Sequence, residues 1–222
     1  MTTITRDPVT RTNHLEPKDS PVVTLERRKI DSFLIAFGAV LTAALVVAGS
    51  LLSWGANFSD DYVGDELASQ NISFPNAAAL QKEGRDDLVK YADQKLDTGK
   101  EAEAYASYIN GHLQGIAKGA TYAELGKPET AAKDAVTAAK ADGASEATIA
   151  ELQAKADAIT GQRNTLFKGE TLRGLLLTAF AWSTVGTIAG YAAIGAFAAA
   201  AAMAVLVLLG LRHRRVVTPH RS

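Results

Sequence analysis

The chain contains no cysteine. Disulfides, thiolate nucleophiles, iron–sulfur clusters, zinc knuckles and a lipobox-type lipid anchor are thereby excluded. Histidine is scarce. Of the four residues, His14, His213 and His220 lie near the ends, and only His112 falls in the middle. A metal or haem role for His112 would need further soft ligands close by, and no second histidine is at hand. It reads as a packed or surface side chain. Charge is missing in a more organised way. No Asp, Glu, Lys, Arg or His occurs in the 28 residues from Ser32 to Ser59, or in the 38 from Gly174 to Leu211. All 47 formal charges, 23 basic and 24 acidic, sit in the other 156 residues. The mean hydropathy of +0.02 therefore averages two unlike populations.

Both charge-free runs read as membrane segments. Ser32–Trp54, 23 residues, spans about 35 Å as a helix, against a hydrocarbon core of about 30 Å. A signal peptide would have a shorter apolar region. Arg27-Arg28 raises a twin-arginine signal, but Lys29-Ile30-Asp31 follows where that motif wants apolar residues. The second run carries 12 Ala and 5 Gly and would reach about 57 Å as a helix. Thr178, Ser183, Thr184 and Thr187 lie in its first half and the most apolar part, Ala192 to Leu211, at its end. One helix is expected, its first turns outside the bilayer and its last ~23 residues crossing it.

Arg27, Arg28 and Lys29 abut the first run, and Arg212, Arg214 and Arg215 the second. The positive-inside rule then makes both ends cytoplasmic and places the chain in the plasma membrane with two spans. Trp54 and Trp182 fall at the same outer interface. Residues 55–173 carry 13 basic and 19 acidic residues, net −6, and are expected outside the cytoplasm. The expected organisation is a cytoplasmic tail (1–31), a membrane helix (32–54), an extracytoplasmic helical domain (55–173), a long helix containing the second span (174–211), and a cytoplasmic tail (212–222). Neither tail is long enough for a signalling domain.

The middle is all helix signals, so the fold class is all-α. Asn71-Ile72-Ser73-Phe74-Pro75 is an extended break, with Asn76 available as a cap. Thr98-Gly99-Lys100-Glu101 matches a capping box. After it, Ala102, Tyr105, Ile109, Leu113 and Ile116 share one helical face. Thr121-Tyr122-Ala123-Glu124 is a second capping box, expected to stop at Gly126, with Pro128 opening a short Ala-rich helix that ends near Gly143. Ser145 starts another, with Ile149, Leu152, Ala156 and Ile159 at three- and four-residue steps running on towards Leu166. Gly111, Gly115 and Gly119 predict a close contact or a bend. Large aliphatics and Phe are few: Leu, Ile, Val and Phe make up 19 of the 115 residues from Ser59 to Arg173. So lean a core is best explained if it leans on the membrane helices or on a partner.

Chemistry-bearing patterns are sparse. No G-x-S-x-G, no Gly-rich phosphate loop and no EF-hand spacing occurs. No stretch is basic enough for a nucleic-acid footprint. Neither run contains the ionisable groups on which proton relays, ion pathways and intramembrane cofactors depend, which argues against a transporter or a haem-bearing carrier. Catalytic, cofactor and metal residues are accordingly not assigned. Two features remain. Gly38 with Thr42, Gly49 with Ser53, and Gly186 with Gly190 make small-residue steps that allow close helix approach in lipid. The two helices can use these faces on each other or on other membrane subunits. Asp60, Asp61, Asp65 and Glu66 form an acidic cluster: a docking patch or cation site, or the first turn of a helix capped by Ser59.

Several stretches also resemble a known family. They are Asp61-Tyr62-Val63-Gly64-Asp65-Glu66-Leu67 with Asn71-Ile72-Ser73-Phe74-Pro75, Glu103-Ala104-Tyr105-Ala106-Ser107-Tyr108-Ile109, Thr121-Tyr122-Ala123-Glu124-Leu125, and Arg173-Gly174-Leu175-Leu176-Leu177 with Trp182. Over roughly 33–126 and 162–211 the chain resembles small actinobacterial two-helix membrane proteins, a family that includes the prokaryotic respiratory supercomplex association factor. Residues 131–158 look like an insertion. The resemblance implies association with the cytochrome bcc–aa3 oxidase assembly, with the bilayer and membrane subunits as partners and no cofactor. Some relatives carry the label aromatic ring-opening dioxygenase. This sequence does not support it, because a non-haem iron centre would want two histidines and a carboxylate. The expectation is a non-catalytic accessory subunit. The alternative is an extracytoplasmic ligand-binding sensor or adaptor that signals through a partner. An envelope enzyme would need a carboxylate pair that nothing in the sequence singles out.

Overall fold

The computed structural model describes residues 21–216, with side chains from Arg28 to Arg214. His14, His220 and most of the two expected tails lie outside the described residues, as do the side chains of Arg27 and Arg215. Among the described residues the chain is all-helical, with two long apolar helices: α1 (Pro21–Ser69) and, after three shorter helices, α5 (Glu146–Val216). The shorter helices are α2 (Ala77–Lys82), α3 (Gly99–Gln114) and α4 (Gly126–Ala141), with 3₁₀ turns at Asp86–Tyr91 and Ile116–Gly119. Both long helices contain stretches long and apolar enough to cross a membrane.

The chain divides into two units, one of residues 1–47 with 196–222 and one of residues 48–195. The first unit, where described, is the start of α1 paired with the end of α5. Glycines set the spacing there. A Cβ on Gly38 would stand 2.8 Å from Val207 Cγ2, and one on Gly210 would stand 3.2 Å from Ile35 Cγ1. Phe33, Leu34, Phe37 and Val40 face outward and are exposed.

The second unit holds the core. Leu80 and Leu96 are wholly buried, and around them pack Phe74, Leu88, Ala102 and Ala106 from the connecting segment. The long helices complete this cluster: Val63 and Leu67 come from α1, Leu176 and Ala179 from α5. The lean segment thus leans on the two apolar helices, as its composition demands. Phe74 stacks on Tyr91 and meets Tyr105 edge-on, each at 5.2 Å between centroids. A smaller cluster of Leu113, Leu125 and Leu166 ties the end of α3 to α5, and Gly169 leaves room for the Leu113 side chain.

The local signals act where expected. Asn76 Oδ1 accepts from Ala79 N at 2.9 Å and starts α2. Thr98 and Glu101 close the capping box of α3 reciprocally, at 3.3 and 3.0 Å. Ser145 Oγ accepts from Thr148 N at 3.2 Å at the head of α5. The chain bends at the end of the glycine ladder, where Ala117, Lys118 and Gly119 all have positive φ, at 48°, 58° and 83°. Two expectations are corrected. The Thr121–Glu124 box forms its bonds but closes a turn, and Gly126 opens α4 rather than stopping a helix. Pro128 therefore sits inside the first turn, where no intrahelical N–H is needed. The second correction is that no helix starts at Ser59, because α1 runs unbroken through the Asp60–Glu66 cluster.

Thr98→Ala removes one half of the box on which α3 starts. A loss of about 1 kcal/mol is expected, with the amides at the head of α3 exchanging hydrogen faster and those of α4 unchanged. Equal protection in the variant would show that the box does not hold this end.

Candidate functional site

Ser59 is the pivot of the site. It is buried mid-helix, 8% exposed, and its hydroxyl donates to the backbone carbonyl of Trp182 at 2.8 Å. α5 comes this close because Gly186 has no side chain. A Cβ there would meet Ser59 Cβ at 2.9 Å and the Ala56 carbonyl oxygen at 3.3 Å. Gly190, one turn on, faces Ala56 Cβ at an ordinary 3.7 Å. The crossing has two sides. On one, Gly64 lies against the Asp97 carbonyl, and Ser183 and Phe180 meet Gly99 at the start of α3. On the other lies a groove of about 450 Å³, uncovered by any described residue.

The groove floor is Gly55, Ser59, Gly186 and Ala189, and its walls are Phe58 and Tyr62 of α1 and Trp182 and Val185 of α5. Trp54, Phe58 and Tyr62 recur every fourth residue and stack in a ladder, with centroids 5.7 and 5.9 Å apart. All three are more than half exposed, as is Trp182 at 60%. A volume of this order is that of a ligand pocket or a helix-sized trough.

Several of the small-residue positions face the chain's other long helix. Gly38 is buried against Val207 and Met203, and its carbonyl accepts the Thr42 hydroxyl at 2.7 Å. Gly49 is buried and Ser53 half-buried on the same stripe of α1. Gly186 and Gly190 face Ser59 and Ala56. Where their contacts are described, these residues serve the pairing of the chain's own helices. The threonines of the second run are satisfied locally. Thr178, Thr184 and Thr187 donate to carbonyls four residues back at 2.9–3.0 Å, which suits hydroxyls in an apolar helix.

The four residues of the acidic cluster do not share one helical face. At helical spacing Asp61, Asp65 and Glu66 continue the Phe58–Tyr62 face, while Asp60 falls on another. All four are exposed, and none makes an ion pair among the described residues. His112 is an exposed side chain, its Nε2 3.2 Å from Glu83 Oε2 and its ring edge-on to Tyr108 at 4.5 Å. Burial, joined by the neighbouring Glu83 carboxylate, pushes the Tyr108 hydroxyl above its ordinary pKa. Among the described residues, no three His, Asp or Glu side chains cluster as a metal site.

One polar centre gave no sequence signal. Glu129, 7% exposed, accepts from Lys133 Nζ at 2.7 Å, Thr160 Oγ1 at 2.9 Å and Arg163 Nη1 at 2.7 Å. The Arg163 guanidinium also lies 4.1 Å from the Tyr122 ring. These donors hold the Glu129 carboxyl well below the usual range, at about 2. Its three donors are all internal, and they clasp α4 to α5. No protein-family model, curated protein or solved structure matches the chain.

Two tests follow from this geometry. The depressed carboxyl stabilises the clasp above its unfolded pKa of 4.5, and that contribution is lost as pH falls towards about 2. Hydrogen exchange in α4 should accelerate across that window in the native chain, and Glu129→Gln should flatten the dependence. An unchanged acid profile in the variant would remove Glu129 as its cause. At the crossing, Gly186→Ala should destabilise by about 1–3 kcal/mol, whereas Gly195→Ala, whose Cβ would enter open space, should be neutral or mildly stabilising. Equal melting temperatures for the two variants would contradict the close approach.

Proposed function

We propose that the chain is a non-catalytic accessory subunit of a membrane complex, anchored in the plasma membrane by two spans. Its termini are cytoplasmic and residues 55–173 form an extracytoplasmic domain. One observation carries the reading. The chain turns Gly186 and the Ser59 hydroxyl onto its own helix pair, yet leaves an apolar, aromatic-walled groove open beside that crossing. Large exposed apolar surfaces mark protein or membrane contact. Orientation is supported by flanking charge, with Arg28 and Lys29 before the first run and Arg212 and Arg214 after the second. It is supported too by Trp54 and Trp182, which flank the one crossing at Ser59, as an aromatic belt requires.

The family resemblance names the cytochrome bcc–aa3 respiratory assembly as the first complex to examine. Extraction of native membranes in a mild detergent, followed by capture of the tagged chain, should co-purify bcc and aa3 subunits in fixed ratio. Recovery of the chain alone would overturn the reading. Recovery with a different membrane complex would keep the accessory role and replace the respiratory one.

A further inference from the structure

The occupant of the groove can be specified further, on the premise that the chain is an accessory subunit. The floor is made of small residues and the walls of large ones. A Cβ on Gly55 would enter open space, so a third helix can lay its backbone over that position while its side chains fall between the aromatic walls. A flexible acyl chain makes no such demand on the floor. The lip is acidic. Glu66 stands one turn beyond Tyr62, and Asp65 one turn beyond Asp61, all exposed and without an ion pair among the described residues. Anionic headgroups are repelled there, and basic side chains are attracted. A second copy is a poor match, because it would bring residues 55–173, net −6, to the same lip. Its Arg173, at the start of its own charge-free run, is already paired with Glu170 at 3.0 Å.

We propose that the groove docks a transmembrane helix of a different protein, one that carries Lys or Arg just beyond the extracytoplasmic end of its apolar segment. Basic residues at that end run against the usual bias of membrane proteins, so the acidic lip discriminates among candidate spans.

The test places a photoreactive phenylalanine analogue at Val185, on the groove wall, in the full chain in native membranes. Tyr191, exposed and outside the groove lining, serves as the control position. Irradiation should give an adduct at 185, and not at 191, whose cross-linked peptide lies in a partner span ending in Lys or Arg outside. Asp61→Asn/Asp65→Asn/Glu66→Gln should lower the adduct yield roughly 10-fold at low salt while leaving the melting temperature unchanged, and added salt should lower the yield of the parent chain. Adducts to lipid alone, to a second copy or to a span without basic residues would overturn the proposal, as would no adduct or a yield indifferent to the triple variant. Co-purification measured on the same membranes separates the two claims. Captured subunits without groove adducts sink the docking proposal alone, and recovery of the chain by itself sinks the accessory role with it.

Discussion

The hydrogen bond from Ser59 to the Trp182 carbonyl joins residues 123 apart in sequence, and most of the second unit hangs on the crossing it marks. Glycine at 186 lets the two backbones come close enough for a hydroxyl as short as serine's to reach. Once they are that close, Val63 and Leu67 on one helix and Leu176 and Ala179 on the other are brought to a single surface. The connecting segment could not bury its few large side chains without that surface. Leu80 and Leu96 are the only large side chains it hides completely. The apolar helices are thus part of the small domain's core.

The polar groups follow the same inward logic. Glu129 has its donors supplied by α4 and α5, and Arg85 spends its guanidinium on Asp87, the Ser107 carbonyl and the Ser107 hydroxyl. Gly111 is small because a Cβ there would crowd Arg85 Nη1 at 3.2 Å. No buried side-chain nitrogen or oxygen among the described residues lacks a partner. The aromatic ladder of Trp54, Phe58 and Tyr62, and the Trp182 ring, remain exposed.

Local physics made much of the fold legible in advance. The Asn76 and Ser145 caps, the Thr98–Glu101 box, the break at 71–75 and the stripe Ile149, Leu152, Ala156 are written within a few residues of where they act. The reading failed where the deciding partner is remote. Ser59-Asp60-Asp61 has the chemistry of a helix start, but exposed charges do not stop a helix that tertiary packing sustains. Thr121–Glu124 bonds like a cap although only a turn follows. Glu129 gave no signal because Thr160 and Arg163 lie 31 and 34 residues away. The groove was half legible. Its floor was visible as small-residue steps, but its aromatic wall, in register every fourth residue from Trp54, was read only as an interfacial tryptophan.

Length supplies the last constraint. A bilayer core needs about 20 helical residues, while the charge-free runs hold 28 and 38. On the accessory-subunit reading, the surplus turns stand where water would meet bare apolar helix. The chain covers one side of them, laying the start of α3 along Ser183 and Phe180. It does not cover the other, where Phe58, Tyr62, Trp182 and Val185 remain open and carboxylates begin one turn farther along α1. Part of the excess serves the chain itself, since Leu176 and Ala179 complete the core of the connecting segment. The uncovered side makes physical sense if another protein's helix also stands above the hydrocarbon at that height. The carboxylates then mark where its charge begins.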